Sequence, residues 1–261
     1  MQHVVVKIHE QVATLLLDRA DTCNALNPSV IEDLRQAISD VHQEKRVRAV
    51  VLTGSGEHFC SGLDLQVLRE ISELPMADAV QQWHALWLQL TELYEDVLRL
   101  PKPVIAAVDG TATGAGFGLA LAADIIVPTE QATFCAVAVR RGLVGGATGS
   151  LLNFRAGAAV AARMLLTGTP VAAQEAYRLG LCCEPVDATQ IWVAANEIAV
   201  QCSQAPREAV QATKRVLNES IGETLMMQLS ATAADSAAAC TTESATEGIR
   251  SYLESRDPQW P

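Results

Sequence analysis

The sequence is poor in basic residues and in long apolar runs, and each deficit excludes a class of protein. Lysine and arginine total 19 against 30 aspartates and glutamates, which gives a formal net charge of −11. Nucleic-acid binding needs clustered basic side chains, so this balance argues against a nucleic-acid partner. No run reaches the ~18 apolar residues of a membrane span, and no signal peptide precedes the first predicted strand. We therefore expect no membrane partner.

Cysteine usage points to a reducing compartment. The seven cysteines are an odd number, include the adjacent pair Cys182 and Cys183, and form no C-x-x-C motif. This pattern predicts reduced thiols in the cytoplasm rather than a disulfide framework or a zinc site, so we expect no metal. With 261 residues, 49% of them hydrophobic and 19% charged, the chain can bury a large core and is not disordered.

Predicted strands and helices alternate along most of the chain. The strand candidates are a hairpin over 4–8 and 12–17 and a buried strand over 47–53. Asn27 and Pro28 predict an N-cap and first position for a helix to about Gln43, and a long helix is expected over about 76–99. Repeated strand-then-helix units predict an α/β fold with parallel sheets.

The composition shifts to alanine-rich helical segments after residue 187. Helices are expected at roughly 188–204, 206–219, 222–240 and 243–255. We therefore divide the chain into an α/β core, residues 1–187, and a helical C-terminal region, residues 188–261.

The most informative stretch is Gly114-Ala115-Gly116-Phe117-Gly118, which follows the apolar run 104–108 and precedes a helix-like segment at Leu119. A strand, a glycine turn and a helix start aim free backbone N–H groups at a ligand. The dinucleotide spacing G-x-G-x-x-G fails because position 119 is leucine. A second turn runs from Gly54 to Leu65, so two turns can supply two N–H donors to one oxygen.

Six segments in the right order resemble the crotonase superfamily, that is, the enoyl-CoA hydratase/isomerase family. They cover nearly the whole chain and comprise residues 18–27, 59–65, 101–110, 122–126, 165–168 and 172–181. The resemblance implies a spiral of β-β-α turns, with a C-terminal helical part that packs homotrimers, often paired into hexamers. It also implies an acyl-CoA thioester as substrate and no cofactor beyond that coenzyme A.

Carried over residue by residue, the resemblance assigns the backbone N–H groups of Leu63 and Ala115 as an oxyanion hole for a thioester enolate. Alanine at 115, where the family usually has glycine, requires ordinary backbone angles. The implied substrate-binding residues are Cys23, Ala25, Leu26, Cys60, Gly62, Leu63, Asp64, Leu65, Gly114, Ala115, Arg140 and Arg141.

The acid/base positions of the family are vacant in this chain. Its hydratases place two glutamates where this sequence has Gly118 and Ala138, and other relatives place a carboxylate where it has Gly146. No Asp or Glu occurs between Glu130 and Glu175, so a shifted alignment supplies none. We expect hydration of crotonyl-CoA to be weak or absent, and glutamates restored at 118 and 138 to raise it if the alignment holds.

Other polar residues are alternatives with competing structural roles. Arg140 and Arg141 can clamp a substrate carboxylate, or bind a loop carbonyl or a neighbouring subunit. Asp64 fits an N-cap better than a catalytic acid. Cys135 fits a small buried hydrophobic position, and His58 fits a loop residue.

The long helix carries aromatic and titratable side chains with similar alternatives. Its aromatic residues Trp83, Trp87 and Tyr94 fit the core or an interface better than an acyl pocket, and the candidate bases are His84, Glu92 and Glu95.

Three functions remain open. The first is an enzyme that stabilises a thioester enolate with non-standard acid/base groups, or a decarboxylase that needs no carboxylate base. The second is a non-catalytic acyl-CoA binder or partner subunit. The third is a structural trimer without ligand, in which the two donor turns would be needless.

Overall fold

The computed structural model describes residues 1–220 and 222–261. Within them the strands are β1 (Val4–His9), β2 (Val12–Leu17), β3 (Ala49–Gly54), β4 (Val104–Val108), β5 (Thr111–Thr113), β6 (Ile125–Pro128), β7 (Thr133–Cys135) and β8 (Val171–Ala172). The α-helices are α1 (Pro28–Gln43), α2 (Leu65–Ser72), α3 (Met76–Arg99), α4 (Ala115–Ala122), α5 (Gly146–Thr167), α6 (Ala173–Arg178), α7 (Ile191–Gln204), α8 (Arg207–Arg215), α9 (Glu223–Ala239) and α10 (Glu243–Leu253).

The strands form two sheets, which confirms the predicted α/β class. A five-stranded sheet has the order β1-β2-β3-β4-β6, and a three-stranded sheet has the order β5-β7-β8. The hairpin β1–β2 and the pair β7–β8 are antiparallel, and all other pairs are parallel. The parallel strands are covered on both faces, as parallel sheets require.

The alternation of side chains along β4 shows how the sheet is covered. Val104, Ala106 and Val108 join the large core that also contains α1, α3 and α4. Ile105 and Ala107 point to the opposite face and pack in a smaller cluster with Ala195 and Ala199 of α7. The alanine-rich C-terminal region therefore supplies the second layer of the sheet.

Several predicted helices are confirmed almost to the residue. The side chain of Asn27 accepts a hydrogen bond from the Val30 N–H at 2.9 Å, with Pro28 at the first helical position of α1. Helix α3 spans Met76–Arg99, and the four predicted C-terminal helices correspond to α7, α8, α9 and α10. Helix α8 continues into a π-helical segment, Val216–Ser220.

Two helices differ from the prediction. Helix α4 begins at Ala115 rather than near Leu119, and it follows β5 of the small sheet rather than β4 directly. The sequence does not predict helix α5, because glycines interrupt its apolar pattern. They lie at both ends of the helix and at a kink at Gly157, where φ is 79°.

No helix in the described part of the chain is long and apolar enough to cross a membrane. Within residues 1–220 and 222–261, no group of three or more His, Cys, Asp or Glu side chains can hold a metal ion, and all seven cysteines are free thiols.

Candidate active site

Two glycine turns lie against each other at the carboxyl ends of β3 and β5. The loop after β3 pairs with β5, because the Cys60 N–H donates to the Thr111 carbonyl and the Thr113 N–H donates to the Cys60 carbonyl, each at 3.0 Å. Gly62 has φ of 97°, and a Cβ there would lie 2.7 Å from the Thr113 oxygen and 3.4 Å from the Ala115 nitrogen. Only glycine permits this approach of the first turn to the start of α4.

The peptide units that carry the Leu63 and Ala115 N–H groups are fixed through their carbonyls. The Gly62 carbonyl accepts from the Leu26 N–H at 2.7 Å, and the Gly114 carbonyl accepts from the Gly118 N–H at 3.0 Å. The C=O and N–H of a trans peptide point in opposite directions, so these bonds also orient the two N–H groups. Among the described residues neither N–H has a hydrogen-bond acceptor.

The backbone conformation at the second turn explains its residue types. Gly114 has φ of 54° and ψ of −117°, a conformation that glycine adopts without strain. Ala115 is the first residue of α4 and has an ordinary negative φ, as the sequence analysis required for alanine at this position.

Both turns open into one cavity of about 100 Å³. Its described lining is mainly apolar and comes from the two turns, α3, the 3₁₀ turn Val137–Arg141, α5 and α10. Arg141 is the one charged side chain among these lining residues, and the hydroxyl groups come from Ser61, Thr113, Thr148 and Tyr252. The described lining contains no Asp, Glu, His, Lys or Cys.

The space beside Gly118, the position predicted to correspond to the first family glutamate, is filled by neighbouring side chains. A Cβ on Gly118 would lie 2.5 Å from the Tyr94 hydroxyl oxygen and 2.7 Å from the Thr148 hydroxyl oxygen. The Tyr94 hydroxyl donates to the Ala115 carbonyl at 2.7 Å, and the Thr148 hydroxyl donates to the Gly114 carbonyl at 3.2 Å. Burial raises the pKa of Tyr94 well above its ordinary value, so this phenol stays neutral.

Ala138 and Gly146, the other two positions predicted to lack a family carboxylate, lie in different surroundings. Ala138 lines the cavity directly. Gly146 also borders it, but a Cβ there would lie 2.5 Å from the Ser236 hydroxyl oxygen and 2.8 Å from the Thr232 Cβ, both on α9. A carboxylate at 146 would therefore meet α9, whereas a side chain at 138 can enter the cavity.

The three aromatic residues of α3 have separate roles. Trp87 lines the cavity, and its Nε1 donates to the Cys240 sulfur at 3.4 Å. Trp83 is buried in the core, and Tyr94 supports the second turn as described above.

The candidate bases of α3 lie outside the cavity. His84 is exposed. Glu92 pairs with Arg35 at 2.7 Å, and Glu95 pairs with Arg99 at 3.3 Å.

The two adjacent arginines are separated by the fold. Arg140 is exposed, and its Nε donates to the Thr167 carbonyl at 2.8 Å, so it holds a loop outside the cavity. Arg141 lines the cavity, with its guanidinium carbon 3.1 Å from the centre of the Tyr252 ring. Burial lowers the pKa of the Arg141 guanidinium below its ordinary value.

The segment that resembles the first CoA-contacting region supports the first turn. The Cys23 carbonyl accepts a hydrogen bond from the Ser61 N–H at 3.0 Å. Ala25 is buried, and Leu26 pairs with Leu63 in a parallel bridge. None of these three residues lines the cavity. The buried Asn24 between them donates to the Ser55 carbonyl at 2.9 Å and to the His58 carbonyl at 2.7 Å.

Asp64 and its neighbours have structural contacts. Its carboxylate accepts from the Gln66 N–H at 3.0 Å as the N-cap of α2 and pairs with Arg19 at 3.0 Å. Cys60 is buried under Gly116, and Leu65 is exposed. The Cys135 thiol is buried and bonds to the Gly168 carbonyl at 3.4 Å.

None of the four hydroxyl-bearing residues that line the cavity was predicted as a site residue, and two of them, Thr148 and Tyr252, come from distant helices. Thr148 lies in α5, the helix that the apolar pattern concealed. Tyr252 reaches the cavity because Gly248, one helical turn earlier, allows α10 to pack against the Arg141 backbone, where a Cβ would collide. The G-x-x-x-Y spacing on a helix is too common to identify this contact in advance.

Comparisons with known proteins agree with this geometry. The family model described as enoyl-CoA hydratase/isomerase matches residues 7–261. The chain is 34% identical to a carnitinyl-CoA dehydratase of Proteus mirabilis, over 95% of this chain and 94% of the relative. It is 29% identical to a 1,2-epoxyphenylacetyl-CoA isomerase of Escherichia coli, over 100% of this chain and 98% of the relative.

A solved structure of similar fold comes from Mycobacterium paratuberculosis. This enoyl-CoA hydratase/isomerase superposes with a TM-score of 0.85 at 26% identity, covering 95% of this chain and 97% of its own. The fold, the two adjoining glycine turns and the match along nearly the whole length lead to one assignment. The chain belongs to the enoyl-CoA hydratase/isomerase family.

Proposed function

We propose that this protein binds an acyl-CoA thioester and stabilises its enolate between the N–H groups of Leu63 and Ala115. The observation that carries the proposal is the contact between the two turns, in which a Cβ on Gly62 would lie 3.4 Å from the Ala115 nitrogen. Both N–H groups belong to peptides whose carbonyls are already bonded, so they need little reorganisation to meet a developing negative charge.

Such a pair of donors favours reactions that place charge on the thioester oxygen. One preorganised donor contributes about 3–4 kcal/mol to such a transition state. Addition at the β-carbon and proton removal at the α-carbon both lead to this enolate. The cavity lining is mainly apolar, and surroundings of low polarity strengthen the two hydrogen bonds further.

The acid/base groups of this reaction are not carboxylates of the described cavity lining. A positioned general acid or base contributes about 10²- to 10⁴-fold in rate. We therefore expect crotonyl-CoA hydration to be slow, with proton transfers assisted by hydroxyl groups or water. A rate of about 10 s⁻¹ or more, ordinary for an enzyme, would contradict this part of the proposal.

The same lack of carboxylates supports two further candidates. Decarboxylation of a malonyl-type thioester breaks the bond to the carboxylate and leaves its electron pair in the enolate, so CO₂ departs without a base and water then protonates the α-carbon. A non-catalytic acyl-CoA binder would keep the donors without any proton-transfer group. Turnover of acyl-CoA distinguishes these two, and binding alone does not.

The Ala115→Pro variant tests the oxyanion hole. Proline is well tolerated at the first position of a helix, which Ala115 occupies, and it replaces the N–H hydrogen with the Cδ of its ring. Ala115→Gly is the matched control, because it keeps the N–H and shortens the side chain. The probe is 4-dimethylaminocinnamoyl-CoA, whose absorption moves to longer wavelength when its carbonyl is polarised.

We expect the parent and Ala115→Gly to shift this absorption and Ala115→Pro to lose most of the shift while its unfolding temperature stays close to that of the parent. Turnover of any accepted substrate should fall about 10²- to 10³-fold in the proline variant. An unchanged shift and turnover in a folded Ala115→Pro variant would show that this N–H is not a donor.

Assembly and location form part of the same proposal. Leu166 of α5 is 76% exposed and Met227 of α9 is 62% exposed, which supports an apolar contact between copies. We propose a homotrimer or a hexamer, with coenzyme A entering only as part of the substrate, in the cytoplasm. Sedimentation as a monomer at micromolar concentration would contradict the trimer.

A further inference from the structure

Arg141 brings a positive charge into the cavity without a carboxylate to balance it. No Asp or Glu among the described residues lies within ion-pair distance of its guanidinium, whereas Arg140 beside it bonds to a loop carbonyl outside the cavity. The Arg141 guanidinium lies over the face of the Tyr252 ring and also interacts with the Tyr252 hydroxyl, and a guanidinium has five N–H donors, so donors remain for a further acceptor. A half-buried guanidinium in apolar surroundings favours an anionic ligand.

The start of α5 adds positive potential to the same cavity. Gly145, Gly146, Ala147 and Thr148 line it, and the N-cap Gly145 has no side chain to accept from the first N–H groups of the helix. The intrahelical bonds begin with the Gly149 N–H, which donates to the Gly145 carbonyl at 2.5 Å. This helix end and Arg141 therefore attract negative charge from two sides, and no acidic side chain of the described lining opposes them.

We propose that the acyl group of the substrate carries a second carboxylate, which the Arg141 guanidinium binds. The substrate class is thus the CoA thioesters of short dicarboxylic acids. This inference rests on the proposed function, since the thioester oxygen is taken to lie between the Leu63 and Ala115 N–H groups. Apolar side chains such as Leu68, Leu90 and Ile249 line the same cavity and suit the methylene groups between the two ends.

Matched pairs of thioesters test the carboxylate directly. Malonyl-, succinyl- and glutaryl-CoA are compared with propionyl-, butyryl- and valeryl-CoA by isothermal titration calorimetry at fixed salt. At the chain length that fits the cavity we expect the dicarboxylic thioester to bind about tenfold more tightly or better, as a charge-assisted hydrogen bond provides.

Three variants identify the group responsible for that preference. Arg141→Gln should abolish the preference, which is the ratio of the two affinities within each pair, whatever its effect on the affinity for the uncharged thioesters. Arg141→Lys keeps the charge and should retain part of the preference. This variant still tests the role of the charge if the glutamine variant loosens α10. Arg140→Gln is the matched control on the exposed neighbour and should change neither affinity.

The outcomes separate the two proposals. Equal binding of both members of every pair, or a preference that persists in Arg141→Gln, overturns the carboxylate inference and leaves the acyl-CoA proposal standing. Failure of all six thioesters to bind overturns both proposals. A preference lost in Arg141→Gln and kept in Arg140→Gln supports the inference.

Discussion

Replacement of Gly118 by alanine is the sharpest probe of the packing around this predicted acid/base position. The added methyl group would lie 2.5 Å from the Tyr94 hydroxyl oxygen, 2.7 Å from Tyr94 Cζ and 2.7 Å from the Thr148 hydroxyl oxygen. All three distances are far below van der Waals contact of about 3.5 Å. Tyr94 is fully buried and cannot move into solvent, so the collision must be relieved inside the core.

The expected cost follows from the opposing contributions. Overpacking a core by one methyl group costs about 1–3 kcal/mol, and a displaced Tyr94 hydroxyl would lose a hydrogen bond worth about 1 kcal/mol. Alanine is a better helix former than glycine by about 1 kcal/mol, which offsets part of this cost. We expect Gly118→Ala to lower the free energy of unfolding by about 1–3 kcal/mol, or the unfolding temperature by about 2–12 °C.

Urea unfolding of two further variants provides the controls. Gly149→Ala adds a methyl group to α5 where the nearest atoms are the flexible ends of Leu165, at 3.3 Å, and it should be neutral or stabilising. In a Tyr94→Leu background, Gly118→Ala should lose most of its cost, giving a coupling energy of about 1 kcal/mol or more. Gly118→Ala as stable as the parent would refute the packing described around Tyr94.

The same collision changes the expected result of restoring the glutamates. Gly118→Glu cannot place its carboxylate beside the cavity while Tyr94 and Thr148 fill that space. We therefore expect Gly118→Glu combined with Ala138→Glu to leave crotonyl-CoA hydration at the parent's rate. A clear rise in hydration would show that the two hydroxyl groups give way.

Three further substitutions test the supports of the fold. Asn24→Ala should cost about 1–3 kcal/mol, because the Ser55 and His58 carbonyls would lose their buried donor, as urea unfolding can measure. Asp124→Asn should cost about 3 kcal/mol or more by leaving the buried Lys214 ammonium, 2.7 Å from the Asp124 carboxylate, unpaired. Burial lowers the pKa of Lys214, so this variant should regain stability as the pH rises towards the ordinary lysine value. Hydrogen bonds from Arg256 lower the pKa of Glu247 from 4.5 to about 2, so that carboxylate stabilises the C-terminus above pH 4.5 and loses this effect as the pH falls towards 2. In the parent, the hydrogen-exchange protection of the last residues should decrease as the pH falls from 4.5 towards 2. In Glu247→Gln this protection should not change over the same pH range.

Local signals in the sequence were sufficient for many elements. The N-cap Asn27 with Pro28 predicts the start of α1, and the apolar spacing of α3 predicts its full length, because capping and amphipathic periodicity act within a few residues. The two glycine turns were also predictable, since such tight turns depend on glycine at particular positions. The oxyanion role of the Leu63 and Ala115 N–H groups stays a prediction. Gly62 and Gly114 both have positive φ.

Features that depend on tertiary contacts were not predictable in this way. Nothing near Gly118 in the sequence indicates that Tyr94, on another helix, fills the space beside it. The separate roles of Arg140 and Arg141 arise from the 3₁₀ turn that directs one side chain outward and the other into the cavity. Tyr252 joins the site only because Gly248 lets α10 approach. Each of these depends on a contact between distant segments.

Two parts of this site differ in how much they depend on side chains: the backbone N–H groups of the two turns, and the groups that would transfer protons. The proposed enolate donors are backbone N–H groups, and their orientation depends on Gly62, Gly114 and the hydroxyl groups behind them. If Gly118 corresponds to a family glutamate, as predicted, its absence leaves these donors in place, because the Tyr94 and Thr148 hydroxyl groups bond to the carbonyls of the second turn. The rate of the proposed reaction then depends on which group supplies or accepts the proton. Under the proposal made for Arg141, the acyl group itself brings the anionic group into this cavity.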